Sequence, residues 1–245
     1  MYIQIHEKTL TRISKICLAL FLASNCQPAV SQSYTGKIVI DGVVYGENDS
    51  TTLKGSGVLG NDQRQVGHFE SIKVTNSVNV NYQDNQDTQV EVTGDANLLP
   101  FIKTEVSNGV LTISSTHNYQ AQQPLTVQIK SNVLKKLIHD GASDVNLIDL
   151  KEKSLSITLS GSGSIKAKGN VEQLSASISG SGEVMAKDLL CNQADIQISG
   201  SGNVNITAKD LLKAIISGAG EIIYYGNPKK VEPNITGSGS IEPGE

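Results

Sequence analysis

Ser160-Gly161-Ser162-Gly163 returns as Ser179-Gly180-Ser181-Gly182 and again as Ser199-Gly200-Ser201-Gly202. Two variants follow, Ser217-Gly218-Ala219-Gly220 and Thr236-Gly237-Ser238-Gly239, and a degenerate copy, Asp140-Gly141-Ala142-Ser143, precedes them. From the first glycine of each, the steps are 20, 19, 20, 18 and 19 residues. A fixed period of this kind marks stacked repeats, and it is too short for paired helices. It suits one turn of a β-solenoid with about 19 residues per rung.

The flanks support strands. Leu155-Ser-Ile157-Thr-Leu159, Leu174-Ser-Ala176-Ser-Ile178, Ala194-Asp-Ile196-Gln-Ile198 and Ala214-Ile-Ile216 precede the motifs. Ile165-Lys-Ala167, Val184-Met-Ala186 and Val204-Asn-Ile206 follow them. Apolar and polar residues alternate with period two, so one face is buried and the other wet. Leu159, Ile178, Ile198 and Ile216 each directly precede a motif and are expected to stack in one inward column. Gly161, Gly163, Gly180, Gly182, Gly200, Gly202, Gly218, Gly220, Gly237 and Gly239 are expected to form the structural turns, where a Cβ would oppose the backbone. The copies resemble one another singly and do not alternate in pairs, which favours parallel stacking over a hairpin meander. The fold class is therefore all-β, a parallel β-helix with Gly-Ser-Gly corners.

The composition agrees: 23 Gly, no Trp and 4% aromatic residues in 245. Residues 1–31 read as a signal peptide, with Lys8, Arg12 and Lys15 before the short apolar run from Ile16 to Ala23 and Ala29-Val30-Ser31 at the cleavage site. Cys26 offers a competing lipidation site, but Asn25 stands where a small residue is usual. The predicted location is the periplasm or cell surface, with no transmembrane segment. The net charge is −4, and removing the leader makes it more negative, which argues against nucleic acid as a partner. Once the leader is removed, Cys191 is the only cysteine left and is read as an apolar filler.

Residues 32–67 read as an irregular lead-in and 68–245 as the solenoid domain, with regular repeats from about Val133. Asn108-Gly109, between two strand-like runs, signals a hairpin. Pro228, Pro233 and Pro243 cluster where they would blunt an open end of the stack.

Candidate chemistry is thin. Gly55-Ser-Gly57-Val-Leu-Gly60 matches a dinucleotide fingerprint in letters, but Asn61-Asp62-Gln63 reads as a turn where a helix is required, so no nucleotide cofactor is expected. His68, His117 and His139 lack metal-ligand spacing; no metal or cofactor is expected. His139-Asp140 is placed at a rung corner without a catalytic role. The corner serines lie outside any nucleophile elbow and are expected to hydrogen-bond along a stacked column. Asp144, Glu183 and Glu221 follow their corners where Ser164, Asn203 and Ser240 follow others; on neighbouring rungs such carboxylates would lie about 5 Å apart. Alternation predicts one ring of Tyr224-Tyr225 inside and one outside. No catalytic residue is assigned.

Phe69-Glu-Ser-Ile-Lys-Val74, Asn97-Leu-Leu-Pro-Phe-Ile-Lys-Thr-Glu-Val106, Asn108-Gly-Val-Leu-Thr-Ile113, the serial Ser-Gly-Ser-Gly copies and Tyr224-Tyr-Gly-Asn-Pro228 together resemble the auto-transporter adhesin head family called the GIN domain, over about residues 66–241. The resemblance implies a right-handed β-helix with the Gly-Ser-Gly motifs as its tight turns. It implies a pectin-lyase-like shape without recognised catalytic residues, and a role in adhesion. The expectation is a secreted, non-catalytic adhesion or scaffolding module of the bacterial envelope. Its partners would be a surface glycan, a protein ligand or a second copy of the chain. The alternative is a polysaccharide-binding or polysaccharide-cleaving β-helix.

Overall fold

The computed structural model describes residues 52–245, together with the backbone of two strands, Ile38–Ile40 and Val43–Tyr45. The leader, its cleavage site and Cys26 lie outside the described residues. The chain divides into two units, Met1–Leu53 and Lys54–Glu245. In the first, Ile38–Ile40 pairs antiparallel with Val43–Tyr45.

The second unit is a β-solenoid. Four long strands, Asp144–Gly161, Ser164–Gly180, Glu183–Gly200 and Asn203–Gly218, each wrap one rung and pair parallel with the next. Two shorter strands, Lys230–Gly237 and Ser240–Pro243, make the last rung. The stack does not start at the first regular repeat. Ser71–Asn76 pairs parallel with Lys136–Gly141, and Asn79–Asp84 pairs parallel with the start of the Asp144 strand. Two sides of a further rung therefore form from sequence without a Gly-Ser-Gly motif.

The register explains the repeat. Val74, His139, Leu159, Ile178, Ile198 and Ile216 are successive partners in one ladder. All six are buried, and the expected column from Leu159 to Ile216 is in place. Val80, Val145, Ile165, Val184, Val204 and Ile222 make an equivalent column on the second side. Each rung buries its alternate residues only because its neighbours cover them, so stability comes from stacking. Replacing Ile198 by Ala should cost about 3 kcal/mol, since the column cannot collapse around the lost carbons. Urea unfolding would measure it, and a loss below about 1 kcal/mol would refute this packing.

The beginning of the solenoid is closed by antiparallel strands. On one side Val110–Ser115 lies parallel to Ser71–Asn76 and is covered by Ile102–Ser107 through the Asn108-Gly109 turn. Both turn residues have positive φ, 50° and 73°, as a primed hairpin turn requires. On the other side Thr126–Ser131 is followed outward by Gln89–Asp95 and Leu59–Arg64, both antiparallel. Residues 54–67, expected in an irregular lead-in, thus belong with the solenoid unit, and Asn61-Asp62-Gln63 lies in a strand, not a turn. The far end is different. Lys230–Gly237 and Ser240–Pro243 have a paired neighbour on one side only. Pro233 and Pro243 lie within these edge strands, where a missing N–H is tolerated and discourages further pairing.

Candidate binding ridge

The corners after the inward column form a continuous ridge. Gly161, Gly180, Gly200, Gly218 and Gly237 stack in register, and all have φ between 111° and 139°. At Gly180 a Cβ would lie 2.5 Å from the Gly161 carbonyl oxygen, so conformation and space both demand glycine. The second glycine of each motif has no such φ. At Gly182 it is the previous rung that excludes a side chain: a Cβ would meet Leu159 and the Gly163 carbonyl oxygen. The motif therefore carries one conformational and one steric requirement.

The backbone of the ridge is satisfied from rung to rung. Ser181 N–H donates to Gly161 O at 3.0 Å, Ser201 N–H to Gly180 O at 2.9 Å and Ala219 N–H to Gly200 O at 2.9 Å. The serine hydroxyls are not used in this way. Ser160, Ser179, Ser199 and Ser217 are ladder partners, yet among the described residues none of their hydroxyls bonds to another corner serine. The expected hydrogen-bonded serine column is thus absent there. Ser179, Ser181, Ser199, Ser201 and Ser217 are exposed, at the sheet spacing of about 4.8 Å. The ridge offers a row of outward hydroxyls.

One row of carboxylates borders it. Asp144, Ser164, Glu183, Asn203, Glu221 and Ser240 are successive ladder partners. Carboxylates and neutral residues alternate strictly, so no two acids occupy neighbouring rungs, and the 5 Å pairing considered from sequence does not arise. The separation is two rungs, about 9.6 Å, which relieves like-charge repulsion along the ladder. Among the described residues no cluster of His, Cys, Asp or Glu could hold a metal ion.

The reactive side chains are sealed or structural. His139 is not at a corner: it sits in the inward column, fully buried, with Nε2 2.9 Å from Ser143 Oγ. The distance would suit a nucleophile and its base. However, Ser143 is itself buried, His139 Nδ1 has no partner, and Gly163 packs against the ring. Burial lowers the histidine pKa against the opposing pull of Asp140 and Asp144, so the ring is held neutral. Cys191 is buried, and burial pushes its thiol up to about 12, leaving it protonated and inert. His117 stacks edge-on to Phe101 at 5.0 Å, and exposed His68 lies 3.9 Å from Glu70. Arg64 is tied to Asp62 at 3.2 Å and to the Leu99 carbonyl at 2.8 Å. Tyr224 and Tyr225 are both half-buried, in place of one in and one out; Lys187 Nζ lies 3.9 Å from the centre of the Tyr225 ring.

The fingerprint-like Gly55–Gly60 loop is occupied by the protein itself. Fully buried Asp95 accepts from Gly57 N–H at 2.6 Å, Gln122 N–H at 2.8 Å and Gln123 N–H at 3.0 Å. Burial alone would raise its pKa; the hydrogen bonds from Gln123, Gln122 and Gly57 outweigh it and hold the carboxyl below its ordinary range. Gly55 packs directly on this carboxylate. The amide that a phosphate would seek is already engaged by an internal anion. Nothing in the sequence marks Asp95 as buried.

A closed-core β-solenoid with a repetitive hydroxyl ridge defines the class: a stacked, single-chain repeat module. The family model described as "Putative auto-transporter adhesin, head GIN domain" matches residues 68–228, and the chain belongs to that family. A solved structure from Bacteroides fragilis, described as a putative adhesin, is similar with a TM-score of 0.65 at 20% identity, covering 78% of this chain and 99% of its own. Another, a putative lipid binding protein from Parabacteroides distasonis, has a TM-score of 0.54 at 22% identity and covers 80% of this chain and 100% of its own. Both share the fold. Curated proteins give no match to this chain.

Proposed function

We propose that the protein is an exported, non-catalytic adhesion module of a bacterial envelope, binding through the corner ridge. The ridge is the observation that carries this reading: exposed hydroxyls repeat on a rigid backbone whose own polar groups are satisfied. A repeating ligand meets the same weak contact on every rung, and many such contacts add up by multivalency. The family and the adhesin described for the B. fragilis neighbour agree with it. The partner is a surface glycan or a protein presented in many copies.

The test is adherence. Beads coated with the mature chain should bind bacterial or host surfaces. Changing Ser179, Ser181, Ser199 and Ser201 to Ala should abolish binding while leaving the melting temperature in place. Unchanged adherence of that variant would overturn the assignment. Export predicts a mature N-terminus near Gln32 outside the cytoplasm; N-terminal sequencing that finds Met1 retained would refute it.

Catalysis is expected to be absent. Glycosidic cleavage needs two positioned carboxyl groups, about 5–10 Å apart across the bond. The row of Asp144, Glu183 and Glu221 reaches such a spacing, but along an open sheet face with neutral Ser164 and Asn203 between the acids. Incubation with pectate or alginate, with and without Ca²⁺, should release no unsaturated or reducing ends. Release that disappears on changing Glu183 or Glu221 would replace adhesion with an enzymatic reading.

A further inference from the structure

We propose that the third side of the solenoid, away from the ridge, holds a binding site for an anionic oligosaccharide. After a second corner, each rung contributes a short segment to this side. Leu150, Gly169 and Leu189 are partners there, as are Lys151, Asn170 and Leu190, and Glu152, Val171 and Cys191. The register slips at this corner in every one of these rungs, between Leu147 and Leu150, Lys166 and Gly169, and Ala186 and Leu190. The rungs also differ in length: the Ser164–Gly180 strand has 17 residues between neighbours of 18. A shallow concavity of about 310 Å³ lies over this shorter rung, with buried Val171 and half-buried Leu190 among its lining.

The charge around it is uneven. Three surface lysines of these rungs are paired: Lys168 with Asp188 at 2.9 Å, Lys229 with Asp210 at 2.7 Å, and Lys230 with Glu232. Lys151, Lys153 and Lys209, which line the concavity and are exposed, have no carboxylate within ion-pair distance among the described residues. Of the two acids in the lining, Glu152 accepts the Leu134 N–H at 2.7 Å and is engaged. With Glu172, the lining therefore sets three lysines against two carboxylates. In a chain of net charge −4 this is a local excess of positive charge.

The arrangement selects a class of ligand. Lys151 and Lys153 stand three rungs from Lys209, about 14 Å at sheet spacing. A single small anion cannot bridge that distance; an extended chain with separated acidic groups can. Asn170 and Asn192 lie between and offer both donors and acceptors, which suits hydroxyl groups. No aromatic ring lines the concavity, so bases have no stacking platform. Asn170–Val171 and Leu190–Cys191, in the middle of this side, are paired on both edges, so a peptide finds no free ladder to join there. An acidic glycan laid across the rungs uses every feature.

Calorimetry of the full chain with oligogalacturonate, a sulfated oligosaccharide and a neutral glucan of equal length tests this. Binding of either acidic glycan, weakened by added salt, is expected, with none for the glucan. The triple variant Lys151→Gln, Lys153→Gln, Lys209→Gln should lose affinity by at least about tenfold. Lys168→Gln with Lys230→Gln, which removes lysines already paired, should change it little. Overturning results are equal binding by the triple variant, equal binding of the glucan, or no binding of either acidic glycan. Preferential, lysine-dependent capture of an acidic peptide would also overturn it. Because the ridge serines are untouched, adherence in the serine variants and glycan binding in the lysine variants fail independently.

Discussion

Gly180→Val is expected to lower stability by about 4 kcal/mol or more, through backbone strain and a clash that cannot relax. The residue has φ of 116°, a region closed to a β-branched side chain, and its Cβ would point at the Gly161 carbonyl oxygen 2.5 Å away. That oxygen accepts the Ser181 N–H, so moving it breaks the corner ladder too. Gly109→Ala separates the two causes. Gly109 has φ of 73°, but a methyl group there would meet nothing within 4 Å. Only strain remains, about 1 kcal/mol. Thermal and urea unfolding of both variants would decide. Equal losses would mean that rung-to-rung contact adds nothing at the corner.

Asp95→Ala is expected to cost about 3 kcal/mol, because three backbone N–H groups lose a buried, charged acceptor together. The damage should concentrate in the antiparallel start of the solenoid, where Gly57, Gln122 and Gln123 are held. The same site predicts a pH dependence. The folded carboxyl titrates below its ordinary range, so its contribution is complete above the unfolded value of about 3.9. It is lost as pH falls from there through the folded value. Asp95→Asn should flatten this acid limb of the stability curve. An unaltered limb in the variant would show that other carboxylates produce it.

The solenoid is legible in the sequence because its signal repeats. Each inward residue stands at a fixed distance before a motif, so Leu159, Ile178, Ile198 and Ile216 align by counting alone. The same counting places His139 ahead of Gly141 as Leu159 stands ahead of Gly161; the polarity of the histidine masks its register and suggests a corner instead. The closing strands are less legible. Alternation tells which residues face inward, but parallel and antiparallel partners alternate alike, so Gln89–Asp95 carries no mark of its direction. Asp95 is invisible for another reason: a carboxylate is normally exposed, and only the fold brings three distant amides to it. The lysine concavity depends on a one-residue difference in rung length, which spacing reports but does not translate into depth.

A stack closed at its beginning and open at its end responds to tension in a particular way. Pulled between its two ends, the solenoid carries the force along its axis, across one ladder at a time. The last rung, paired on a single side, is the first to peel. Each rung then released, such as the 19-residue step from Gly161 to Gly180, lets out roughly 65 Å of extended chain. A stack of this kind lengthens in discrete steps and keeps its remaining rungs intact.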